Sequence, residues 1–253
     1  MSVAALKLQV PPPGQNWTPA QVDAVNPCLE HMDAVERVDW ALAYLPEKPV
    51  LTSSFGAQSA VMLHLLTRRL PEIPVVLIDT GYLFPETYRF IDELVDRLDL
   101  QLTVYRPRLS AAWQEARLGR MWENGERGIR RYNRLNKVEP MERALSELSV
   151  GAWFSGLRRS QSESRRDIGV LQHHGSLVKV HPLADWSNRD IHRYLVANEL
   201  PYHPLWDKGY VSIGDRHTSQ PLAAGMAEQD TRFFGIVREC GLHEADNFTA
   251  AKS

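Results

Sequence analysis

The chain has 253 residues, 43% hydrophobic and 24% charged, which is enough apolar material for one sizeable core with a small appendage. Disorder, collagen and a coiled-coil rod do not fit that balance. The 29 Lys and Arg against 31 Asp and Glu leave a formal net charge of -2, without the basic excess of a protein that coats nucleic acid.

Residues 1–17 are rich in Pro and Gly and read as a ragged terminus, with no charged-then-apolar signal-peptide pattern. The longest apolar runs, such as Val75–Ile78, fall far short of the roughly 20 residues a membrane span needs. Thr18-Pro19-Ala20-Gln21 predicts a helix start, with Thr18 as cap, Pro19 at the first helical position and Gln21 two further on. A second helix is expected from about Ala34 to Leu45. Pro49-Val50-Leu51-Thr52-Ser53 reads as a strand, followed by a helix with Val61, Met62, Leu65 and Leu66 inward. Pro74–Asp79 has the continuous apolar texture of a buried parallel strand. Pro85-Glu86 opens a helix whose Phe90, Ile91, Leu94, Val95 and Leu98 recur at spacings of three and four, and Leu102–Tyr105 is the next strand.

Two successive strand–helix units predict an α/β fold, an open and mostly parallel sheet with helices on both faces. Residues 106–140 read as helical but irregular, and a helix is expected from about Met141 to Leu148. Trp153–Gly156 and Leu177–His181 read as strands, and Ser187 with Asp190 caps a further helix. From Pro201 the texture changes to coil with aromatic anchors. The expected organisation is a helical lead-in (1–45), an α/β domain (46–200) and a C-terminal segment (201–253) whose end is a mobile tail.

Four segments carry chemistry. Ser53-Ser54-Phe55-Gly56-Ala57-Gln58-Ser59 joins a strand to a helix N-terminus, and offers backbone N–H groups and hydroxyls to an anion; a small-residue packing turn is the alternative. It lacks the Gly-Lys-Ser/Thr ending of a Walker A loop. Asp79-Thr80-Gly81 ends a strand where open α/β sheets bind ligands, and Asp79 either accepts from a ribose or base or serves the loop. Gly156–Arg166 holds Arg158, Arg159, Arg165 and Arg166 among hydroxyl and amide side chains, suited to phosphate or sulfate oxygens or to a solvated loop. Arg238-Glu239-Cys240-Gly241-Leu242-His243 places a cysteine beside positive charge, as a stabilised thiolate or an inert terminal thiol. No Cys-x-x-Cys occurs, so a one-cysteine mechanism needs an external reductant. Cys28, His173 and His174 read as bystanders, and most of the seven tryptophans as packing.

Taken together, Ser54–Ser59, Asp79–Thr87, Lys137-Val138-Glu139-Pro140, Gly156–Arg159 and Glu239–His243 resemble the assimilatory phosphoadenylyl-sulfate (PAPS) reductases of the PP-loop, or adenine-nucleotide α-hydrolase, superfamily. The resemblance runs from about residue 35 to 248. It implies a Rossmann-like nucleotide-binding domain. Ser54, Gly56, Gln58 and Ser59 then hold phosphate oxygens, with Gln58 standing where ATP-cleaving relatives carry Asp. Asp79, Thr80 and Gly81 meet the nucleoside. Lys137, Arg158, Arg159 and Arg166 meet the phosphosulfate, and Cys240 is the catalytic cysteine, assisted by Arg238 and His243. Iron-sulfur relatives carry cysteine pairs where this chain has Tyr132-Asn133 and Asp215-Arg216-His217-Thr218, so no cluster and no other bound cofactor is expected.

The implied partners are PAPS, adenosine 3',5'-bisphosphate, and reduced thioredoxin or glutaredoxin. A cytoplasmic homodimer without metal, nucleic acid or membrane contact is expected. Rival readings are a cluster-free reductase of adenylyl sulfate (APS), an ATP-using PP-loop enzyme, and a nucleotide-binding protein without catalysis.

Overall fold

A computed structural model describes residue 11 and residues 16–233. The expected mobile tail lies outside the described residues. Helix α1 spans Pro19–Leu29 and α2 spans Ala34–Tyr44. Both open with capping boxes, Thr18 with Gln21 and Asp33 with Glu36, which satisfy backbone donors that the first turn leaves without partners. Strand β1 (Pro49–Thr52) leads to α3 (Ala60–Thr67), β2 (Pro74–Ile78) to α4 (Pro85–Leu98), and β3 is Gln101–Tyr105.

The irregular stretch resolves into α5 (Ala111–Leu118), a 3₁₀ turn at Met121–Glu123, α6 (Gly125–Asn133), a π-helical turn at Arg134–Val138, and α7 (Glu139–Glu147). Helix α7 thus begins two residues before the expected Met141, with Pro140 in its first turn, where its missing N–H costs nothing. Strand β4 is Ala152–Phe154, β5 Leu171–His174 and β6 Leu177–Val180, and α8 is Asn188–Ala197. The sequence reading did not anticipate β5. Its Leu-Gln-His-His carries little β-propensity, and pairing with β6 across a turn at Gly175 (φ +62°) makes it a strand.

The sheet runs β3-β2-β1-β4-β6-β5, parallel except for the antiparallel edge strand β5. Alternation sorts its two faces. Leu51, Val75, Leu77, Phe154, Val178 and Val180 join the larger core with α3, α4, α8 and the lead-in helices, whereas Val50, Val76 and Trp153 meet Met141, Ala144 and Leu145 of α7. Helices therefore cover both faces, as expected of this class. The lead-in shares the sheet's core through Val22, Val25, Leu29 and Val38. It is also tied in by Arg37, 1% exposed, whose guanidinium bonds Asp185 (2.5 Å) and the Leu29 and Pro182 carbonyls (2.9 Å each).

Buried imidazoles give the fold a pH signature. Burial pushes His181 down to about 3, and His174 and His203 to about 4, with neighbouring Lys179 adding to the effect at the first two. The unfolded chain titrates these groups near 6.5, so it binds more protons than the native state once pH drops below that value. Their stabilising contribution is complete above about pH 6.5 and is lost progressively as pH falls towards 4 and below. Differential scanning calorimetry should therefore show Tm falling steadily from pH 7 to pH 4.5; a flat Tm over that interval would contradict the neutral, buried assignment.

Candidate active site

In a sheet of this order the parallel strands β1 and β4 lie side by side where the strand order reverses, and the crevice beyond their carboxyl ends is the place for a ligand. A cavity of about 340 Å³ opens there, between the turn after β1 and the loop after β4. The first wall is Ser53–Ser59. The Ser53 N–H continues the ladder to the Val76 carbonyl, and the Ser53 hydroxyl accepts from the Phe55 N–H at 3.0 Å. Phe55 adopts φ +49°, a left-handed conformation unusual for a side chain of its size, while its ring is fully buried in the core. That burial offsets the backbone strain and locks the turn with Ser54, Gly56, Gln58 and Ser59 on the cavity. The Ser59 hydroxyl is buried there without a hydrogen-bond partner, as a group awaiting a ligand would be.

The second wall is Ser155–Ser162. Arg158, 4% exposed, fans its guanidinium to Gln58 Oε1 (2.6 Å), Asn188 Oδ1 (2.9 Å), the Trp186 carbonyl and Ser160 Oγ (3.3 Å each). Gln58 thus reaches across the crevice to a cation through a neutral amide, which does not itself offset the charge. Arg165 also lines the cavity, bonding Gln161 at 2.6 Å. The third wall comes from the coil after α8, with Trp206, Ser212, Ile213, Gly214, Asp215 and Arg232.

The other expected site residues lie as follows. Thr80 lines the cavity, and its hydroxyl donates to Asp215 at 2.5 Å. Asp79 instead builds the loop, accepting from the Gly81 N–H (3.0 Å), the Tyr88 hydroxyl (2.7 Å) and Arg106 (2.9 Å). Gly81 sits at φ +78°, where that loop requires glycine. Neither lines the cavity. Arg159 turns away from the crevice to Glu30 and the Ile168 carbonyl, tying the Arg-rich loop to the lead-in. Arg166 is exposed and pairs with Glu163 at 2.8 Å. Lys137 does reach the cavity, but its ammonium pairs with Asp215 at 2.7 Å. Burial pushes the Asp215 carboxyl up, and the charge and hydrogen bond of Lys137, with the bond from Thr80, outweigh it and hold the group at about 2. Cys240, Arg238 and His243 lie outside the described residues.

The sequence reading missed Asp215, Asn188, Arg165 and Arg232 as site residues. Arg165 stood in the arginine run and Asp215 in the segment that replaces a cysteine pair; Asn188 and Arg232 carry no local motif and arrive from distant segments. The two segments that replace the cysteine pairs do meet in space. There His217 stacks on Trp122 at 3.7 Å and abuts Tyr132 at 5.0 Å and Tyr82 at 4.9 Å. Among the described residues, no group of three or more His, Cys, Asp and Glu side chains is placed to hold a metal ion.

Comparison with known proteins agrees with this geometry. Residues 48–221 match the model of the phosphoadenosine phosphosulfate reductase domain. A phosphoadenosine 5'-phosphosulfate reductase of Alkalilimnicola ehrlichii is 62% identical over 226 residues, covering 89% of this chain and 92% of that one. The one from Shewanella oneidensis is 56% identical over 243 residues, 96% and 99% of the two chains. Among solved structures, the Candida auris phosphoadenylyl-sulfate reductase in a phosphate complex superposes with a TM-score of 0.71 at 28% identity, over 81% of this chain and 99% of that one. The FMN adenylyltransferase of Candida glabrata shares the fold alone, with a TM-score of 0.55 at 16% identity.

Proposed function

Because the chain belongs to the phosphoadenosine phosphosulfate reductase family, an oxidoreductase family acting on a sulfur group, we propose that it reduces PAPS to sulfite and adenosine 3',5'-bisphosphate through Cys240. The observation that carries this reading is the cavity at the switch point, where the Ser54–Ser59 turn and Arg158 face one another across a space for an anionic nucleotide. The Cys240 thiolate attacks the sulfonyl sulfur, the S–O bond to the leaving nucleotide breaks, and an S-sulfocysteine forms. A thioredoxin thiolate then attacks Cys240 Sγ and expels sulfite. The second thioredoxin thiol resolves the mixed disulfide, so the dithiol supplies both electrons and Cys240 returns as thiolate. Glutaredoxin is the alternative dithiol.

The difficulty is bringing one anion to another. Arg158 and Arg165, with the positive end of α3, supply charge against the phosphosulfate and the leaving phosphate. Arg238 and His243 are proposed to assist the thiolate. Phe233 is buried with its ring 4.8 Å from the Lys137 ammonium, and Arg232 lines the cavity. Cys240 follows Phe233 by seven residues, which span at most about 25 Å extended and keep the thiol within reach of the site. No cofactor enters this scheme, and two cysteines could not ligate a four-iron cluster. Dependence on reduced thioredoxin places the reaction in the cytoplasm, and a homodimer is the proposed assembly.

Mass spectrometry of the reduced enzyme mixed with PAPS, without thioredoxin, tests the proposal. A gain of about 80 Da mapped to Cys240, cleared by thioredoxin with release of sulfite, is the expected outcome. Absence of the adduct despite nucleotide binding would overturn the covalent route. Equal or faster adduct formation from APS would overturn the choice of the 3'-phosphorylated substrate.

A further inference from the structure

Among the described residues that line the cavity, Asp215 is the single carboxylate, facing the cations Lys137, Arg158, Arg165 and Arg232. It is 1% exposed, and every contact fixes it. Its backbone bridges Leu83, the Arg216 N–H after it donates to the Tyr82 carbonyl, Thr80 Oγ1 donates to Oδ1 at 2.5 Å, and Lys137 Nζ stands 2.7 Å from Oδ2. Thr80 is itself held by the Tyr82 N–H at 3.2 Å. Lys137 is equally confined, 8% exposed in its side chain, with the rings of Tyr132 and Phe233 at 5.5 and 4.8 Å. A carboxylate at such a place in an anion site repels the ligand the site is built to take. A hydroxyl or amide would have held the lysine side chain at lower electrostatic cost to the ligand.

We propose that Asp215 is a positioning residue with a charge-setting role: through Lys137 it fixes how much positive charge the cavity offers, so that an anionic nucleotide is bound weakly enough to be released after turnover. This deepens the reading above and rests on it. With Asp215 in place, Lys137 presents its remaining donors to a ligand oxygen from a fixed direction, and most of its net charge is compensated. Without Asp215, one full positive charge is restored to a site largely shielded from water, where it acts strongly. The same logic makes loss of Lys137 alone more severe than loss of an ordinary contact, because it leaves a buried carboxylate uncompensated against the ligand.

Isothermal titration calorimetry of the full chain with adenosine 3',5'-bisphosphate and with inorganic phosphate tests this, with thermal melts to verify folding. Asp215→Asn should bind both roughly tenfold more tightly than wild type, with a steeper salt dependence, and should lower kcat under saturating PAPS as product leaves more slowly. Lys137→Met should bind roughly a hundredfold more weakly, and Lys137→Met with Asp215→Asn should return to within a few-fold of wild type, because the cavity's net charge is then restored. If Asp215→Asn does not fold, the comparison of Lys137→Met with the double variant still decides. A folded Asp215→Asn that binds both anions no more tightly than wild type, or a double variant no better than Lys137→Met, would overturn the inference and leave the functional reading intact. A wild-type chain that binds no nucleotide would overturn both.

Discussion

Cys240→Ser will abolish sulfite release while binding PAPS and adenosine 3',5'-bisphosphate within about twofold of wild type. The argument is one of division of labour. Among the described residues, the polar groups that line the cavity, from Ser54, Gly56, Gln58 and Ser59 to Arg158 and Arg165, come from segments other than the one that carries residue 240. The serine hydroxyl is a far weaker nucleophile than a thiolate near neutral pH, and no general base among the described residues lies at the cavity to activate it. Its lining there holds Asp215 as the sole carboxylate, already engaged by Lys137, and no histidine. Turnover should drop by roughly 10⁴-fold or more, as for removal of a covalent nucleophile elsewhere. Thioredoxin-coupled sulfite release measures the loss, and calorimetry the binding. Substantial residual turnover would place the chemistry on another group and sink the covalent proposal.

Arg158→Ala should have the next largest effect, and on both binding and rate. This guanidinium is nearly fully buried and is positioned by Gln58 on one wall and by Asn188, Ser160 and the Trp186 carbonyl on the other. Its removal takes away a preoriented cation and also leaves the Gln58 and Asn188 oxygens without their donor. A loss of roughly 10² to 10³ in kcat/KM is expected, with nucleotide Kd rising alongside. Arg158→Lys should recover little of it, because a single ammonium cannot make the planar set of bonds that reaches both walls. Steady-state kinetics with PAPS and a binding isotherm check this. A kcat/KM within threefold of wild type would show that the cavity's anion site does not run through Arg158.

The periodic parts of the fold were readable before the structure. Capping boxes at Thr18 and Ser187, the spacing in α4, and the apolar run of β2 are patterns over a few residues, and local sterics and burial enforce them wherever the chain goes. Strand β5 was not readable, because an edge strand of Leu-Gln-His-His exists only through its partner β6. The π-helical turn that aims Lys137 also has no signature in Arg-Leu-Asn-Lys-Val.

The site divides in the same way. The chain's order of residues was enough to single out the Ser54–Ser59 turn, the arginine run and Cys240 as candidates for the chemistry, and two cysteines were enough to deny it a four-thiolate cluster. Which arginine faces the cavity was a matter of three-dimensional packing. Arg158 and Arg159 are neighbours with the same chemistry, yet one meets Gln58 and Asn188 and the other meets Glu30. Asp79, open in the sequence to a ligand or a loop role, bonds Gly81, Tyr88 and Arg106, whereas Asp215, marked in the sequence only as standing in a segment where iron-sulfur relatives carry cysteines, takes the charge of Lys137. The reason is physical: helix and strand periodicity are short-range along the chain, but a charge is used up by whichever partner lies within about 4 Å of it in space, and here that partner is 27 residues away for Asp79 and Arg106, 78 for Lys137 and Asp215, and 129 for Arg159 and Glu30.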